Sequence, residues 1–170
     1  MPSKRKKGDV PLKDPGLDND ALDLYKAVSE LVRAYQFRDR KSICYYDVSV
    51  TQCYALGSVI MHGPMTLNGL ASELYLDKST ASRVVGALVQ KGYIRRSTDP
   101  ADARALNLEA TRKGFDLHSK ISEDLIEEMK TLVADCDPGT RRALGRLIAR
   151  LADRASERFG QKGEGCIGKV

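Results

Sequence analysis

The sequence predicts a mainly α-helical protein with a small β-wing, in which a winged helix-turn-helix lobe sits between long helices that form a dimerisation region. Three observations carry this. Apolar residues recur at helical spacing towards both ends of the chain, at Leu24, Val28, Leu31, Val32 and Tyr35, and at Leu144, Leu147, Ile148, Leu151 and Ala155. Between them lie two short apolar stripes, Leu67, Leu70, Ala71, Leu74 and then Ala81, Val84, Val85, Leu88, Val89, parted by Tyr75-Leu76-Asp77-Lys78. Finally, two strand-like runs, 93–97 and 105–109, flank a loop, Asp99-Pro100-Ala101-Asp102-Ala103-Arg104, too polar to pack as core.

In chain order, residues 1–18 read as a disordered basic tail. The first sixteen hold Lys4, Arg5, Lys6, Lys7 and Lys13 against Asp9 and Asp14, which is more than half of the +5 net charge. Prolines and glycines among them oppose regular structure. No apolar run follows the basic cluster and no 18-residue apolar span exists, so neither a secretory signal nor a membrane helix is expected, and the location expected is cytoplasmic.

A long amphipathic helix is expected from Asn19 to about Lys41, then an irregular stretch, Ser42 to Asp47. Ser49-Val50-Thr51-Gln52 has capping-box form, with Val48 and Cys53 placed to staple the entry. That helix ends near His62-Gly63-Pro64. Thr66 is the expected cap of the next, short helix. A further helix from Ser79 to Lys91 ends at Gly92, which can take the positive φ of a helix stop. On the following strands Ile94, Leu106 and Leu108 are the expected inward positions. Thr111 caps a long helix whose apolar line runs Leu117, Ile121, Leu125, Met129, Leu132 and Cys136. Asp137-Pro138-Gly139 breaks it, and a last helix runs from Thr140 to about Arg158. Residues 159–170 read as a flexible tail.

The lobe therefore spans about 50–110 and the dimerisation helices about 19–41 and 111–158, within one domain of 19–158. The apolar stripes of the terminal helices are too long for the small lobe to cover, so a homodimer is expected. Arg142, Arg146, Arg150, Arg154 and Arg158 form a regular i+4 row that reads as a solvated face.

The outward residues at the start of the Ser79–Lys91 helix are Lys78, Ser79, Thr80, Ser82 and Arg83, short hydroxyls and long cations. With the open N–H groups of a helix start, they suit phosphates and the base edges of a major groove. Ser79 alternatively serves only as an N-cap.

Here the sequence resembles the MarR family of transcription regulators. The matching runs are LASELYLDKSTASRVVGALVQKGYIRR, the wing DPADAR with its Asp102-x-Arg104, and ALNLEATRKG after it. The resemblance implies a dimeric repressor of a pseudo-palindromic double-stranded DNA operator, with Lys78, Ser79, Thr80, Ser82, Arg83 and Arg104 as DNA-binding residues. Arg104 would enter a flanking minor groove. Where the family commonly carries a second wing arginine, this chain has Ala103.

The resemblance also implies release by an effector bound between helical body and lobe, near Cys44, Tyr45, Tyr46, Cys53 and Tyr54. Cys44 and Cys53 are candidates for oxidant sensing or for coordinating a soft metal ion of the arsenite type. Ordinary packing is the competing account of both. Cys136 reads as a buried apolar residue and Cys166 as inert. No cofactor is expected. No C-x-x-C pair, phosphate loop, G-x-S-x-G or paired metal histidines occurs, which argues against an enzyme. A winged-helix protein-interaction module is a further alternative, one that a basic, hydroxylic reading face does not favour.

Overall fold

The computed structural model describes residues 15–43, 45–98 and 106–160. These fall into two compact units, one ending at Asp39 and the other beginning at Arg40. The first unit is most of helix α1 (Leu17–Ile43), whose first turn carries Asp18 and Asp20, the charge sign favoured at a helix start. Along it Leu22, Leu24, Leu31 and Val32 are exposed, with Val28 and Tyr35 half-buried. The helix outruns its expected end because Ile43, its last residue, is buried in the second unit's core.

That core is built on α2 (Val50–His62). The Ser49 hydroxyl accepts the Gln52 amide at 3.2 Å and the Gln52 side chain accepts the Ser49 amide at 3.1 Å, closing the box. Val48 and Cys53, at the staple positions, are both buried. Gly63, at φ 77°, ends the helix. A strand not foreseen follows, β1 (Met65–Thr66). Thr66 doubles as the cap of α3 (Leu67–Glu73), its hydroxyl accepting the Gly69 amide at 3.1 Å.

Both helices of the helix-turn-helix end in the same way. After α3 the Leu76 amide reaches the Ala71 carbonyl at 2.8 Å and the Tyr75 amide the Ser72 carbonyl at 3.2 Å, which forces Tyr75 to φ 52°. After α4 (Lys78–Gln90) the Tyr93 amide reaches Leu88 and the Gly92 amide reaches Val89, both at 2.9 Å. Gly92 takes φ 75° there without a side-chain penalty, whereas Tyr75 holds an aromatic in a region L-residues rarely adopt.

Strands β2 (Ile94–Thr98) and β3 (Leu106–Ala110) begin one residue later than the sequence pattern suggests. They pair antiparallel, and β1 joins the other edge of β3, giving the order β1-β3-β2. Ile94 and Leu108 are buried, but Leu106 is 54% exposed, not inward. Leu106 pairs with Thr98 in the last rung before the loop, beyond the last buried residue of either strand. Alternation assigns a face of a strand but not how far along it the core extends.

Helix α5 (Arg112–Leu132) starts where Thr111 caps it, accepting the Gly114 amide at 3.1 Å. The Thr111 amide donates to the Tyr93 carbonyl at 3.0 Å and its hydroxyl to the Gly92 carbonyl at 2.7 Å. Gly114 is packed so closely that a Cβ would lie 2.2 Å from the Tyr93 oxygen. Ile121 is buried while Met129 and Leu132 are exposed. Because α5 stops at Leu132, Cys136 does not extend the stripe: it lies half-buried in the turn, its thiol 3.7 Å from the Asp135 carboxylate.

The last helix, α6 (Pro138–Gly160), begins two residues earlier than expected. Asp137 accepts the Gly139 and Thr140 amides at 2.7 and 3.2 Å, and Pro138 stands in the first turn, where no N–H is needed. Asp137-Pro138-Gly139 thus opens this helix as well as closing off the last. Leu144, Leu147, Ile148 and Leu151 are exposed along α6, as are the row arginines. No helix among the described residues is long and apolar enough to cross a membrane.

Two glycine substitutions separate backbone strain from crowding. Gly92→Ala, with open space around it, is expected to cost about 1 kcal/mol. Gly114→Ala meets a backbone oxygen that cannot move aside and is expected to cost about 3 kcal/mol or more. Urea unfolding of both variants measures the difference.

Candidate nucleic-acid interface

Helix α4 turns Ala81, Val85 and Leu88 inward, fully buried. Lys78, Ser79, Ser82 and Arg83 are thereby exposed, with Thr80 half-buried beside them. Five of the residues expected to meet DNA therefore share the first turns of one helix.

The start of that helix is not the open one expected. Its cap is Asp77, not Ser79. Asp77 Oδ1 accepts the Thr80 amide at 2.9 Å and the Ser79 hydroxyl at 2.5 Å, and Oδ2 accepts the Thr80 hydroxyl at 2.6 Å. These bonds, the Ser79 hydroxyl foremost, hold the carboxyl well below the usual carboxylate range, so it is charged at neutral pH. Arg83 Nη2 donates to Thr80 Oγ1 at 3.2 Å. Arg83, Thr80, Asp77 and Ser79 thus form one continuous hydrogen-bonded chain on the exposed face.

On the ribbon, Arg95 and Ser97 turn to one side and bind Glu109. The guanidinium is 2.9 and 2.6 Å from Oε2, and the Ser97 hydroxyl donates to Oε1. These bonds lower the Glu109 pKa, that from Ser97 most. Arg96 projects from the opposite face, exposed and without an acidic partner among the described residues. Sequence reasoning passed over Asp77 and Arg96. The alternation that separates Arg96 from Arg95 was there to be read; the cap shift of two residues was not, because Ser79 satisfies the same preference. Arg104, with Asp102 and the rest of the wing tip, lies outside the described residues.

The described effector candidates differ in burial. Tyr45 and Tyr54 are exposed, while Cys53 is only 5% exposed in the core. Cys44 lies outside the described residues. Tyr46 donates to Asp124 Oδ2 at 2.6 Å, tying the turn after α1 to α5, and this bond raises its pKa. It also lines an open cleft of about 520 Å³ with Tyr93, Arg112, Lys113, Asp116, Leu117 and Lys120. There Lys113 stands 4.7 Å from the centre of the Tyr93 ring and Arg112 pairs with Asp116 at 3.0 Å. No three His, Cys, Asp or Glu side chains converge on a metal-sized site among the described residues.

Comparison with known proteins assigns this architecture. Residues 46–105 match the model of the MarR family. An HTH-type transcriptional regulator of Mycobacterium leprae, ML2140, is 31% identical over 146 residues, covering 82% of this chain and 99% of that protein. The chain belongs to the MarR family of winged-helix transcription regulators. A MarR family protein from Bacillus stearothermophilus has the same fold, with a TM-score of 0.75 at 17% identity over 82% of this chain and 97% of its own. So does a point mutant of S. aureus MepR, solved bound to an oligodeoxyribonucleotide, with a TM-score of 0.56 at 20% identity over 77% of this chain and 97% of its own. In winged helix-turn-helix terms α3 and α4 are the paired helices and β2–β3 the wing.

The Tyr46–Asp124 bond has a pH signature. A tyrosine whose pKa is raised on folding stabilises the fold fully below its unfolded value near 10 and loses that stabilisation as pH rises through the folded value. Tyr46→Phe is expected to cost about 1 kcal/mol at neutral pH. It should also flatten the fall in stability above pH 10, measured by urea unfolding across alkaline pH.

Proposed function

We propose that this MarR-family chain is a dimeric, sequence-specific DNA-binding repressor that an effector releases from its operator. The observation that carries the reading is the outer face of α4, where Lys78, Ser79, Thr80, Ser82 and Arg83 are presented by a helix whose other face is anchored in the core. The neighbour solved with an oligodeoxyribonucleotide supports it. Lys78 meets the backbone, while Ser79, Ser82 and Arg83 face base edges. Arg96 adds a phosphate contact on the wing strand, and Arg104 reaches the flanking minor groove.

The exposed apolar rows of α1 and α6 support pairing with a second copy, α5 contributing Met129 and Leu132. The pair sets two recognition helices in successive major grooves of a pseudo-palindrome, about one helical turn apart. An effector with different affinity for the two separations shifts DNA affinity by that difference. A buried Cys53 gives thiol sensing or soft-metal binding no specific support, since the reactive species is an accessible thiolate.

Sedimentation at micromolar concentration is expected to give twice the 18.7 kDa chain mass, and Leu147→Glu with Ile148→Glu to give the monomer. A monomeric wild type contradicts the dimer. On an operator selected from random duplex, Arg83→Ala is expected to lose about 1–3 kcal/mol of base discrimination in anisotropy titrations. Unchanged discrimination removes Arg83 from the reading set.

A further inference from the structure

The hydrogen-bonded chain at the head of α4 has a polarity. A carboxylate only accepts, so each hydroxyl bound to Asp77 spends its single proton on that bond. Ser79 donates to Oδ1 at 2.5 Å and Thr80 to Oδ2 at 2.6 Å. The Thr80 oxygen in turn accepts Arg83 at 3.2 Å. The Ser79 oxygen, on an exposed residue, turns only lone pairs outward. A serine hydroxyl normally reads either kind of base edge, because its proton rotates to suit. Here it is fixed.

We infer that Asp77 is a specificity-determining residue: by holding the Ser79 and Thr80 protons, it makes Ser79 an acceptor-only reader of the amino groups of adenine or cytosine. The inference rests on the DNA-reading role proposed for α4. In the major groove adenine offers N6–H and cytosine N4–H as donors, whereas guanine O6 and N7 and thymine O4 only accept. An outward lone pair therefore bonds an amino base and repels a keto base. It repels a phosphate oxygen for the same reason, so Ser79 faces bases rather than backbone. The Asp77 charge adds to this by disfavouring close approach of phosphates to the helix start, which leaves Lys78 and Arg83 as the cations that meet the duplex from this turn. Asp77 itself need not touch DNA; it acts through Ser79.

The test is a selection from randomised duplex with the full-length wild type. Dissociation constants then follow for all four bases at each half-site position, with wild type, Ser79→Ala, Asp77→Gly and Asp77→Ala. Glycine is tolerated at a helix cap and alanine costs modest stability there, and neither carries a side-chain oxygen to hold the Ser79 proton. One position per half-site is expected to accept adenine or cytosine on one and the same strand, over guanine or thymine on that strand, by about tenfold in the wild type. That preference falls to within about twofold in Ser79→Ala and in both Asp77 variants, while preferences at the other positions persist. A Ser79-sensitive position that groups the bases otherwise, accepting adenine and guanine alike on one strand or A·T and T·A alike over G·C, overturns the inference alone. So does an Asp77 variant that keeps the wild-type preference, or a Ser79→Ala protein with unaltered preferences throughout. A wild type that enriches no sequence overturns the inference together with the DNA-reading role beneath it.

Discussion

The carbonyl of Tyr93 lies where α4, the wing and α5 meet, and their mutual placement depends on what that oxygen touches. It accepts the Thr111 amide at 3.0 Å and lies so close to Gly114 that no other residue fits. One residue earlier, Gly92 turns the chain out of α4 at φ 75° and gives its carbonyl to the Thr111 hydroxyl. Burial of Tyr93, Ile94, Leu88 and Leu108 presses the same region together from within. Backbone hydrogen bonds are directional while apolar burial is not. The core thus makes the lobe cohere, and this junction fixes the direction in which α5 leaves it.

That rigidity matters for a regulator read through geometry. If α5 and α6 pair with a second copy, as proposed, any change in how the helices meet is carried to α4 without slack at the junction. Lys113 reinforces it by donating to the Lys91 carbonyl at 2.9 Å. Tyr46 ties the α1–α2 turn to α5 through Asp124. By contrast, the turn between α3 and α4 carries its strain locally, in the positive φ of Tyr75, beside the residues that would face DNA.

How much of this was legible in the sequence follows from the range of each interaction. The Ser49 capping box, the Thr66 and Thr111 caps and the Gly92 stop involve partners within a few residues, and all were readable. Strand β1 was not, since two residues carry no pattern and exist as a strand only through Leu108 and Asn107, about forty positions away. Leu106 was placed on the correct face and at the wrong depth. Cys136 was assigned to a helix that Val133 to Asp137 had already left. At the proposed site the outward residues of α4 followed from periodicity. The role of Asp77 did not, because two capping candidates two residues apart, Asp77 and Ser79, are equal in sequence and only the hydrogen bonds decide between them.

The central claim is that the hydroxyl-and-cation face of α4 reads sequence in duplex DNA. Anisotropy titration of the wild type against its selected inverted repeat and a scrambled duplex, at physiological salt, tests it most directly. Binding to the inverted repeat is expected to be tighter by at least about a thousandfold. Equal affinity for the two duplexes would contradict the claim.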